Sequence, residues 1–186
     1  YIRSNPTGNE NLVRMLESLG AEVMLPSIAE WNDYVTLIRK WRNKCGARYW
    51  SAFKDYLIEL YMHRTERKMS RFARIPSESF PEELLHLASP YLHHSFTGEA
   101  ILSIGKTIEY IVDAGVAGVI NVMPFTCMPG TIVTALFRRI NEDFDGFPCI
   151  SLAYTGQQRL NLRMRLEAFM FQATENWGKS VSCLSE

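Results

Sequence analysis

Residues 117–130 read A-G-V-I-N-V-M-P-F-T-C-M-P-G. Val119, Ile120, Val122 and Met123 form an apolar run too short for an ordinary helix and suited to a buried strand. Pro124 ends that run, Cys127 follows in the loop, and Pro129-Gly130 stand just ahead of a helical pattern that begins at Ile132. Proline suits the first turn of a helix, where its missing N–H has no intrahelical partner to lose. A strand, a tight loop carrying a thiol and a helix N-terminus are the parts from which an α/β protein builds a site.

Working outward, the same alternation recurs on both sides. Upstream, Leu12, Met15, Leu16 and Leu19 make one apolar helix face, Gly20 caps it, and residues 21–26 (A-E-V-M-L-P) read as a short strand stopped by proline. That order implies an earlier strand ahead of Tyr1, and the chain is expected to be a piece of a longer protein. Downstream, a helix from Thr131 to Glu142 should turn Ile132, Ala135, Leu136 and Ile140 inward. A strand follows over Cys149–Ala153, and then a long helix with Leu162, Leu166, Phe169, Met170 and Ala173 inward. Strands alternating with helices imply an α/β fold with a short parallel sheet and right-handed crossovers. The expected α/β domain comprises residues 1–27 and 91–178. Residues 28–90 form a mostly helical basic insertion, and 179–186 a tail.

The chain has 186 residues, 47% of them apolar, enough for one domain with a real core. Net charge is zero, and no apolar run is long enough to cross a bilayer, so neither nucleic acid nor a membrane is an expected partner. The charge is uneven: Arg39 to Arg74 holds 11 Lys/Arg against Asp55, Glu59 and Glu66. A solvated helix face is the plain reading of that stretch, and a docking surface for an acidic partner is the functional one. The cysteines Cys45, Cys127, Cys149 and Cys183 lack zinc-site spacing, and with no secretory signal they are expected to be reduced in the cytoplasm. His93-His94 suits a polar linker pair better than a chelate.

Residues 100–107, A-I-L-S-I-G-K-T, imitate a relaxed phosphate loop. A phosphate loop needs a strand before it and a helix N-terminus after it. Here the surrounding pattern is that of a helix interior, running from Gly98 to Ala114 with Thr97 as its N-cap and Ile101, Ile104, Ile108, Ile111 and Val112 on one side.

Ligands of parallel sheets bind outside the carboxyl ends of the strands. Residues 26–31, 124–130 and 154–157 should gather there. Cys127 is the sharpest candidate, because a helix N-terminus favours the thiolate. A thiolate can ligate a soft metal or attack carbon; a lone cysteine is also commonly a small buried hydrophobe. Pro124, Phe125, Thr126, Asn121, Tyr154, Gln157, Glu30 and Trp31 are candidate lining residues. Asn121 and Gln157 would offer amide hydrogen bonds to a ligand or, as readily, to loop backbone; Glu30 is a candidate acid with no partner in the sequence to assign it an acid/base role.

The stretches A-G-V-I-N-V-M-P-F-T-C-M-P-G, F-P-C-I-S-L-A-Y-T-G-Q (147–157) and R-L-E-A-F-M (165–170) resemble activase-associated proteins of anaerobic bacteria. These are similar to the 2-hydroxyacyl-CoA dehydratase component family. The opening Y-I-R-S-N-P, L-E-S-L-G-A-E-V (16–23) and Glu30-Trp31 carry the same resemblance, which covers most of the chain except the basic stretch. It implies a Rossmann-like three-layer domain, a 4Fe-4S iron–sulfur cluster held by cysteines, an activator ATPase domain or subunit as partner, and an acyl-CoA. On this resemblance Cys127 is the metal-binding position, one ligand of the cluster. One cysteine does not hold a four-iron cluster, so the other ligands are expected from elsewhere, and this chain alone is not expected to be a competent enzyme. Thr155 stands where the resemblance leads one to expect an Asp. The alternative from a different class is a non-catalytic α/β interaction module that docks an activator ATPase.

Overall fold

The structure is a computed structural model and describes residues 2–42, 56–58, 60–61, 64–65, 68, 80–96, 98–156 and 161–183. After a 3-10 turn at Ile2–Ser4 come α1 (Leu12–Ser18), α2 (Ile28–Arg42), α3 (Pro81–Ala88) and α4 (Glu99–Val112). Then follow β1 (Val119–Pro124), α5 (Met128–Asp143), β2 (Cys149–Tyr154) and α6 (Leu162–Cys183). β1 and β2 pair in parallel, with Val119 opposite Cys149 and Pro124 opposite Tyr154. Parallel neighbours need a crossover, and α5 supplies it. The chain is thus a mixed α/β protein whose described residues contain a two-stranded parallel sheet.

Side chains alternate across a strand, and both faces of this sheet are covered. Val119 and Cys149 join a core made by Tyr34 of α2, Leu85 and Ala88 of α3, Ile101 and Ile104 of α4, and Val133, Phe137 and Ile140 of α5. Ile120, Val122 and Ile150 pack instead with Leu12 and Leu16 of α1 and Leu162 and Leu166 of α6, where Leu152 and Tyr154 are buried. The two ends of the expected insertion, α2 and α3, therefore contribute to the same core as α4 and α5. The basic stretch between them lies largely outside the described residues, as do Cys45 and Gly46.

Several expectations are corrected. Residues 21–27 are not assigned to a strand, because no described strand lies alongside to bond with them. α5 starts at Met128, three residues before the expected Thr131, since Pro129 fits inside its first turn. Ala135 is exposed, and Val133 and Phe137 take the inward positions. Val112, the last residue of α4, is also exposed. The residue capping α4 is Gly98, and Thr97 lies outside the described residues. α6 continues to Cys183, into the expected tail. His93 and His94 lie beyond α3 outside any helix, in keeping with a linker pair, with ring centroids 4.0 Å apart and ring planes tilted by 40°.

Gly105 explains the phosphate-loop imitation. A methyl group there would lie 2.2 Å from the carbonyl oxygen of Leu84 and 2.8 Å from its carbon. The glycine lets α3 and α4 approach backbone to side, and Leu84, Ala88, Ile101 and Ile104 are completely buried around that contact.

Candidate functional site

The loop after β1 is short and tightly tied. The Phe125 N–H donates to the Tyr154 carbonyl at 2.8 Å, which carries the strand pairing one residue past β1, and the Cys127 N–H donates to the Pro124 carbonyl at 3.2 Å. Between them Thr126 adopts φ +65°, a left-handed conformation that is unusual for a β-branched residue. This reversal brings Cys127 to the N-cap of α5 in extended conformation, φ −69° and ψ 111°. Its carbonyl accepts both the N–H and the Oγ1–H of Thr131, each at 2.9 Å. Cys127 is half-buried, while its neighbours Phe125 and Met128 are 62% and 65% exposed. A thiol thus heads a sixteen-residue helix, with Phe125 and Met128 as an exposed apolar collar.

Pro124, Phe125, Thr126 and Cys127 are brought together in this one loop. The other expected lining residues are not free to serve it. Asn121 faces α5, where its Nδ2 donates to the Gly130 carbonyl at 3.1 Å and to Ser151 Oγ at 3.2 Å. Thr134 Oγ1 also reaches the Gly130 carbonyl at 2.8 Å, so the Asn121 amide pins the first turn of α5 to the sheet. The Tyr154 ring is buried in the core beside α1 and α6. Trp31 donates to Glu99 Oε1 at 2.9 Å, and Arg3 holds the Pro26 carbonyl at 3.0 Å, so residues 26–31 are tied to the start of α4 and to the N-terminal turn. Gln157 lies outside the described residues.

Glu30 enters a different constellation. It is 4% exposed and pairs with Lys106 Nζ, which also lies 2.9 Å from Glu109 Oε2. Burial pulls the Lys106 ammonium down, but hydrogen bonds to Glu30 and Glu109 outweigh it and leave the group above its ordinary value. Lys106 also stands 5.1 Å from the centre of the Tyr110 ring. Burial, chiefly, pushes that phenol up to about 12. The i,i+3 spacing of Lys106 and Glu109 was open to reading on a helix; Glu30, 76 residues away, had no local signal.

The test of a cluster site is its donor set. Cys149, the other free cysteine described, lies inside β2, and burial raises its thiol to about 12, so it stays protonated and packed as core. Among the described residues no group of three or more His, Cys, Asp or Glu is placed to hold a metal ion. The described residues therefore do not form a cluster site by themselves. A cavity of about 670 Å³ lies along β1 between the helices, and Cys127 is not in its lining. Among the described residues no helix is long and apolar enough to cross a membrane.

No family model, no curated protein and no solved structure matches the chain.

Proposed function

We propose that this chain is a cytoplasmic, Rossmann-like component of the 2-hydroxyacyl-CoA dehydratase and CoA-substrate-specific activase systems, in which Cys127 gives one thiolate to an iron–sulfur cluster shared with other polypeptide. The observation that carries the reading is the setting of Cys127: a half-buried thiol at the head of α5, with Phe125 and Met128 exposed on either side. A cysteine sulfur ligates a soft metal as its thiolate, and the bound metal holds that charge. The collar needs a partner surface to leave water, since exposed apolar patches mark contact sites. A cluster ligated from both sides of such a contact accounts for both the thiol and the collar. Asn121, Thr134 and Ser151 fix the first turn of α5, so they position the cysteine and do not touch the cluster. An activator ATPase and an acyl-CoA are the partners this reading implies.

The test is anaerobic purification of the protein with its activator, followed by iron and acid-labile sulfide analysis and electron paramagnetic resonance. The cluster signal is expected in the native protein and in Cys149→Ala, and is lost in Cys127→Ser with the melting temperature unchanged. A full cluster in Cys127→Ser overturns the assignment. An iron-free protein that still binds the activator replaces it with the non-catalytic docking module.

A further inference from the structure

Among the described residues no strand flanks the edge of β1 away from β2, and that edge faces a slot that lies in the plane of the sheet. In a parallel ladder, alternate residues of a strand direct both backbone groups to the same neighbour. The N–H of Val119 donates to Pro148 and that of Phe125 to Tyr154, so the odd-numbered residues of β1 serve β2. Ile120 and Val122 therefore turn their N–H and C=O groups the other way, where no strand lies among the described residues. That side is occupied by the cavity of about 670 Å³. Its lining includes Val133 and Phe137 from the helices on one face of the sheet, Leu12 and Met170 from those on the other, and Ile120 and Val122 between. A cavity bounded by both helical layers and floored by a strand edge has the place of a missing strand, with neighbours about 4.8 Å apart in the bonding direction.

We propose that this slot takes one more β-strand, parallel to β1, whose carboxyl end runs directly into Ile2. Three observations select that occupant. Ile2 packs onto the cluster holding Leu152 and Tyr154, while the far end of the cavity reaches Ala114–Val119, ahead of β1. A chain entering at Val119 and leaving at Ile2 therefore runs in the direction of β1. The chain from Ile2 continues through α1 to residues 21–26, which also line the slot; strand, helix, strand is the unit a right-handed crossover builds. Of the charged residues in the lining, Lys106 is paired to Glu30 and Glu109, Arg3 donates to the Pro26 carbonyl and Glu22 is exposed; the rest is mostly apolar, so the occupant is apolar on both faces, as a central parallel strand is. Its arrival also gives residues 22–25 a neighbour to bond, and makes them the next strand.

The experiment compares the 186-residue chain with a fusion that places a six-residue Val/Ile/Ala strand directly before Tyr1, and with a control in which alternate residues of that strand are proline. Residue-resolved amide hydrogen exchange reads the edge. Exchange at Ile120 and Val122 is expected to slow by about tenfold or more in the fusion alone, with new protection over residues 22–25. Equal exchange in fusion and control overturns the proposal. So does a concentration-dependent dimer of the unfused chain in which Ile120 and Val122 are already protected, since a second copy then fills the edge. If the fusion does not fold, the same strand is supplied as a capped peptide at millimolar concentration; unchanged amide shifts at Ile120 and Val122 then reject it.

Discussion

Replacing Gly105 by alanine sets two opposed effects against each other. Alanine is favoured over glycine in a helix interior by about 1 kcal/mol, which argues for a more stable protein. Against that, the new methyl carbon would stand 2.2 Å from the Leu84 carbonyl oxygen and 2.8 Å from its carbon. Ordinary contact begins near 3.4 Å, so α3 must move away by about an ångström, and the obstacle is backbone that no rotamer change removes. The displaced neighbours, Leu84, Ala88, Ile101 and Ile104, are fully buried, so the movement opens gaps elsewhere in a close-packed core. Overpacking of this kind costs about 1–3 kcal/mol, and a backbone obstacle puts it at the upper end. The net expectation is a loss of about 2 kcal/mol, which in a domain of this size lowers Tm by roughly 4–8 °C. Thermal unfolding followed by circular dichroism measures it, with the urea m-value as a check on two-state behaviour. A Gly105→Ala variant as stable as the parent, or more so, refutes the reasoning and reopens the question of what the glycine in G-K-T is for.

Lys106→Met leaves Glu30 and Glu109 buried without their shared cation, and is expected to cost about 3–5 kcal/mol. Replacing all three by apolar residues of similar volume should recover most of that loss, and chemical denaturation of the two variants checks it. Stability should also fall on the alkaline side. Burial raises the Cys149 thiol from 9.0 to about 12 and the Tyr110 phenol from 10.0 to about 12. Both groups therefore hold protons more tightly in the folded state, and their stabilisation, complete below the unfolded values, is lost as pH rises towards 12. Urea midpoints measured from pH 8 upward should begin to fall near 9 in the parent and nearer 10 in Cys149→Ala; identical profiles count against the burial of that thiol.

The cysteine loop was readable because its signals are adjacent: an apolar run, a proline stop and a second proline inside the next helical turn. The inward face of α6 was readable for the same reason, since Leu162, Leu166, Phe169 and Ala173 repeat at helical spacing and are all buried. Asn121 was read as an amide for a ligand or for local backbone, and only the fold chose between them, because its partners, the Gly130 carbonyl and Ser151, belong to the following helix and the neighbouring strand. Glu30 was placed beside Cys127 by strand-edge logic, and the fold instead delivered it to Lys106. Residues 21–26 carry a strand pattern, yet they are assigned to no strand.

These cases divide along one line. Periodicity and turn chemistry act over a few residues, so the amino-acid order alone is enough to place α1, α4, β1, β2 and α6 and to put a thiol at a helix head. Strand membership, buried ion pairs and the spacing of α3 against α4 depend on which distant backbone closes on which. Gly105 has meaning only once Leu84 lies over it, and a strand exists only when a neighbour accepts its hydrogen bonds. Those partners were chosen by chain closure and packing, because the free energy that selects them belongs to contacts between residues that no local pattern connects.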